Sequence, residues 1–157
     1  MGEVSKLEPG PPLPMTLMSH SCVENTLILS TLNQTNSNSI KIICTGGWTV
    51  ALTKNGARYL QFSDKTLIYD TTEAAWSFGP ELNRARMKHS SIATKFGIFV
   101  MGGYNYQDLE TGEIEFMSER DQSRWVVLKS LEIEDFGMAV LSVASVYTGS
   151  ALKYPAL

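Results

Sequence analysis

The sequence predicts an all-β chain built from a repeated unit, and three observations predict it. Trp125 stands 49 residues after Trp76, and the residues downstream of each keep step: Leu82 and Leu131 lie six positions on, His89 and Met138 thirteen. Gly46-Gly47 and Gly102-Gly103, each closing an apolar run, correspond at a shift of 56. Upstream, a shift of 69 places Gly10-Pro11 on Gly79-Pro80, Leu13 on Leu82 and His20-Ser21 on His89-Ser90. A shift that changes between anchors means insertions, and loops are where a repeat tolerates them.

In chain order, residues 1–14 read as the tail of one unit and the loop leaving it, with Leu7 where the repeat would place tryptophan. Pro9, Pro11, Pro12 and Pro14 remove amide donors and hold this segment extended. MSHSCVEN is a first strand, and a long polar loop carrying Asn33-Gln34-Thr35 separates it from IKIICTGG, the second. Residues 48–65 make an expanded connection in which Asn55-Gly56, between TVALT and ARYLQF, predicts a two-residue hairpin turn. TLIYD and AAW then supply the third and fourth strands.

The second unit repeats the plan. KHSSIATK is its first strand, Lys95-Phe96-Gly97 a turn, and GIFVM its second strand. GIFVM is apolar throughout rather than alternating, so protein should cover both its faces. Residues 104–112 form the connection, EIEFM the third strand and SERDQSRWVVL the turn and fourth; Tyr69 has no aromatic counterpart there. After Trp125 the leucine spacing continues without Arg or His, Asp135 stands where Arg86 would, and no third diglycine arrives.

The anchors HSCV…IKIICTGGW…TLIYD…W and RMKHSS…GIFVMGGY…W resemble the kelch repeat, which builds one four-stranded blade of a β-propeller. The resemblance implies a partial kelch-type propeller over residues 1–157: repeat one at about 8–76, repeat two at about 77–125 and an incomplete third at about 126–157. A closed ring of roughly four to eight blades needs about 200–400 residues. The chain therefore reads as part of a longer protein, with association of copies to complete a ring as the alternative. In the family the connections between strands two and three and between blades recognise peptides or partner domains. Carried to matching positions, the binding residues are Trp48, Tyr104 and Arg86, with Asn105, Tyr106 and Arg84 beside them. Tyrosine and tryptophan supply rigid amphipathic area, and arginine a planar fork for carboxylates.

The remaining positions read as structural. Gly46, Gly47, Gly102, Gly103, Trp76, Trp125, His20 and His89 recur with the repeat, so packing explains them without chemistry. Cys22 and Cys44 fall on neighbouring strands where alternation allows a shared face, as a bridge in an oxidising compartment or as two small buried hydrophobes. Asn33 heads a glycosylation sequon. No phosphate-binding loop, nucleophile elbow or His/Cys metal pattern emerges, so neither catalysis, a cofactor nor a metal is expected. A net charge of -3 argues against nucleic acid as partner, and no apolar run has membrane-spanning length. The expected partner is another protein or peptide. A purely structural propeller piece and a copper-oxidase-like propeller stand as alternatives, and a cytoplasmic setting is favoured over an extracellular one.

Overall fold

The computed structural model describes residues 9–25, 40–106 and 109–128. The loop around Asn33, Leu7 and the third repeat after Leu128 lie outside the described residues, which are all-β with no helix. Among them nothing helical is long and apolar enough to cross a membrane.

The first half contains β1 (Ser21–Asn25), β2 (Lys41–Thr45), β3 (Trp48–Leu52), β4 (Arg58–Phe62), β5 (Thr66–Asp70) and β6 (Ala75–Phe78). The second contains β7 (Ser90–Thr94), β8 (Gly97–Met101), β9 (Tyr104–Asn105), β10 (Leu109–Glu110), β11 (Ile114–Ser118) and β12 (Val126–Val127). Each half makes one four-stranded antiparallel sheet, in the orders β1-β2-β5-β6 and β7-β8-β11-β12. The connection between second and third strands forms a small hairpin in both, β3–β4 in one and β9–β10 in the other.

The two sheets match at the level of register. Cys44 stands opposite Leu67 in the first, and Val100 opposite Glu115 in the second. Met18 bridges to Trp48 as Met87 bridges to Tyr104. Even an uncommon backbone state recurs, with Ser19 and Lys88 both at φ 54° immediately before the paired histidines. Both diglycines have positive φ throughout, and a Cβ on Gly47 or Gly103 would collide with the carbonyl of Met18 or Met87. The diglycine is therefore required twice over, by conformation and by close approach.

The loop of the β3–β4 hairpin corrects the two-residue turn expected at Asn55-Gly56. The Thr53 carbonyl accepts the Gly56 N–H at 2.9 Å, the Thr53 N–H donates to Ala57 at 2.8 Å, and Gly56 has φ 82°. This is a three-residue loop of turn-plus-bulge type, in which the glycine is displaced one step into the left-handed position.

The sheets stack face to face. Val23, Ile43 and Ile68 of the first meet Ala93, Ile98, Val100 and Met117 of the second, with Leu82 and Trp125 completing the cluster. At roughly 1.5–3 kcal/mol for each fully buried aliphatic side chain, this contact dominates the cohesion of the pair. The other face of the first sheet, through Cys44 and Leu67, is covered by Leu13, Met15 and Leu17 of the proline-rich segment. GIFVM coincides with β8, where Gly97, Ile98 and Val100 are buried and Phe99 and Met101 partly so.

The tryptophans take equivalent polar partners. The Trp76 indole N–H donates to the Pro11 carbonyl at 3.2 Å, and that of Trp125 to Pro80 at 3.0 Å and to Thr66 Oγ1 at 3.1 Å. Each ring thus pins the Gly-Pro loop that begins its own repeat, and satisfies its single donor while doing so.

Candidate binding surface

The loop from Leu82 to Met87 crosses from the first sheet to the second, and a carboxylate decides its shape. Glu115, on β11, is fully buried, and its Oε2 accepts the Asn83 backbone N–H at 2.6 Å and Asn83 Nδ2 at 2.8 Å. Its Oε1 accepts the Arg84 N–H at 3.2 Å and Arg86 Nη2 at 2.8 Å. A buried carboxylate needs most of its lone pairs filled, and this loop fills them.

Arg86 is turned inward and buried. Its side chain is 0% exposed, paired with an equally buried Glu115, and Nη1 donates to the carbonyls of Gly102 at 3.1 Å and Glu113 at 3.0 Å. Burial lowers the guanidinium's proton affinity, and the carboxylates of Glu115 and Glu113 oppose that effect. The resemblance that suggested Arg86 for binding specified its position along the loop, not the side of the loop it occupies. Arg84 is partly exposed and pairs through Nε with Glu113 Oε2 at 2.9 Å. Asn105 is buried. Tyr104 is partly buried, with Lys88 Nζ 5.8 Å from its ring centroid.

The histidines differ in burial. His89 is buried between the sheets, its Nε2 2.9 Å from Thr45 Oγ1, which in turn lies 3.0 Å from Ser91 Oγ. Burial, reinforced by the charge of Arg86, pulls its pKa down to about 4. A Cβ on Gly46 would stand 2.5 Å from His89 Cε1, so the first diglycine also makes room for the second sheet's histidine. His20 is less buried and lies beside Cys22 and Cys44, which form a disulfide.

The β3–β4 hairpin is open to solvent. Alternation puts Trp48, Val50 and Leu52 on one face of β3, and register places Phe62 and Leu60 opposite the first two. Leu52 is 65% exposed, Leu60 55% and Val50 43%, while Trp48 and Phe62 are partly buried. Tyr106, from the other sheet's connection, stacks on Phe62 at a centroid distance of 4.0 Å and donates its hydroxyl to the Leu60 carbonyl at 2.6 Å. The Phe62 N–H donates to the same hydroxyl at 3.3 Å.

Two connections far apart in sequence thus join into one continuous apolar strip. Trp48 and Tyr106 are the sequence-derived candidates that lie on it. Val50, Leu52, Leu60 and Phe62 were missed, although the alternation of WTVAL beside RYLQF is their signal.

No family model matches the sequence, and no curated protein does. Among solved structures the chain is similar to one described as the structure of YjhT, with a TM-score of 0.51 and 13% sequence identity. The match covers 76% of this chain and 33% of that one, so the chain spans about a third of the other's length. At that identity the likeness is one of fold.

Proposed function

We propose that the chain is part of a kelch-type β-propeller and that its connecting segments bind another protein or peptide through the apolar strip of the β3–β4 hairpin. What supports the propeller is the way the unit tiles. The face of the first sheet formed by Val23, Ile43 and Ile68 packs on the second sheet, and the equivalent face of the second consists of Ile92, Phe99 and Phe116, half-buried and ready for a further unit. A match to one third of a longer chain agrees with more such units.

The observation that carries the binding reading is the junction of Tyr106 with Phe62. It braces a two-stranded hairpin that would be marginal alone, and leaves Val50, Leu52 and Leu60 facing water. Exposed aliphatic side chains on a braced edge, rimmed by tyrosine and tryptophan, suit a partner that brings apolar anchors of its own.

Peptides selected from a displayed library on the immobilised chain test this. Substituting L52D together with L60D should weaken the selected peptides by at least about tenfold. Both positions are exposed, so melting should stay within roughly 0.5 kcal/mol of the parent. Ligands that bind the double variant as tightly as the parent would move the site elsewhere.

A further inference from the structure

His20, Cys22 and Cys44 each present one donor atom, and the three atoms lie within 4.8 Å of one another. His20 precedes Cys22 by two residues, which on extended chain places both on one face, and Cys44 stands directly across from Cys22 in the β1–β2 register. The cysteines are joined as a disulfide, Cys44 buried and Cys22 exposed. Beside them His20 Nδ1 is buried without a hydrogen-bond partner. An imidazole nitrogen shielded from water and without a hydrogen-bond partner, on a ring that brings a donor atom within 4.8 Å of both sulfurs, is open to a ligand.

We propose that the disulfide guards a metal site: on reduction, Cys22, Cys44 and His20 Nδ1 bind one zinc ion or a similar thiophilic cation. A dithiol or phosphine reductant supplies two electrons, and with two protons from solvent the S–S bond becomes two thiols. The cation then displaces both thiol protons to solvent and takes two thiolate sulfurs and the Nδ1 lone pair. Two thiolates neutralise a divalent charge, which suits a half-buried position. Donors on one tetrahedral zinc stand roughly 3.5–3.8 Å apart, so a spread within 4.8 Å needs only side-chain adjustment. Exposure of Cys22 leaves the fourth position to water, and gives reductant its approach. The second sheet cannot form this site, because Ser91 and Val100 occupy the corresponding pair. Scans for paired cysteines in one stretch miss it, since one ligand comes from the neighbouring strand.

The full chain, titrated with Zn(II) against a chromogenic chelator before and after phosphine reduction, tests the proposal. Thiol counting should show none before reduction and two after, and only the reduced protein should hold one equivalent. Co(II) should then give thiolate charge-transfer absorption and the visible bands of a tetrahedral ion. H20Q should weaken zinc binding by at least about tenfold and alter the visible cobalt bands while both thiols still titrate. C22S, at the exposed position, should abolish binding with circular dichroism unchanged. Equal zinc binding by oxidised and reduced protein, no binding after reduction, or unaltered affinity in H20Q would each overturn the assignment.

Discussion

At one position of the repeat the two sheets use opposite chemistry. Leu17 precedes Met18 as Arg86 precedes Met87, and Leu67 faces Cys44 as Glu115 faces Val100. The first sheet therefore covers its face with two leucines, and the second with a buried ion pair. The leucine pair asks only that water be excluded. The ion pair asks for direction: Glu115 gathers two backbone amides and the Asn83 side chain, and so imposes a conformation on the loop that joins the sheets. The lesson is that both partners change together, since either charge alone in that position would be stranded.

The largest test rebuilds one solution in place of the other. R86L leaves Glu115 buried without its cation and should cost about 3–5 kcal/mol in urea unfolding. R86L with E115L, which copies the first sheet, should cost less than R86L alone, although the amides of Asn83 and Arg84 lose their acceptor. Additive losses would mean that the guanidinium and carboxylate do not depend on each other.

The histidines sharpen the same contrast, because His89 is sealed between the sheets while its counterpart His20 is less buried. With its folded pKa near 4 against an ordinary 6.5, the unfolded chain binds the proton first as pH falls. The stabilisation is therefore complete above about pH 6.5, declines as pH drops toward 4 and is lost below it, up to about 3 kcal/mol in all. Unfolding of H89Q at a series of pH values should lack this component, and a parallel pH profile in parent and variant would remove His89 as its source.

The smallest effect compares the diglycines. Gly46 would press a methyl into His89 and the Arg86 carbonyl, whereas Gly102 meets only the Thr111 carbonyl, at 3.9 Å. G102A should cost about 1–2 kcal/mol from its left-handed backbone alone, and G46A distinctly more. Equal shifts in melting temperature would show that conformation, not the neighbouring sheet, requires the first glycine of the pair.

Much of this was legible in the residues. The strands at SCVEN, KIICT, TLIYD and GIFVM follow from local pattern, the diglycines share positive φ as well as spacing, and the indoles of Trp76 and Trp125 donate to the matched carbonyls of Pro11 and Pro80. The β3–β4 hairpin was legible too, but not its loop, because Asn55-Gly56 fits both a two-residue turn and the bulged alternative. The positive φ that Ser19 and Lys88 share left no trace, since the two side chains have no chemistry in common and only the backbone state repeats. Of the candidate site, Trp48 and Tyr106 reached the open strip, while Arg86 turned inward.

The sequence by itself determined which segments are strands and that the unit occurs twice, because those properties arise from residues within a few positions of one another. Tertiary structure alone decided which side of each loop is interior. The partner that buries Arg86 lies 29 residues away, and the tyrosine that braces Leu60 lies 46 residues away. Contacts of that range depend on how one sheet is laid upon another, and a pattern read along the strand carries only the alternation of its own two faces.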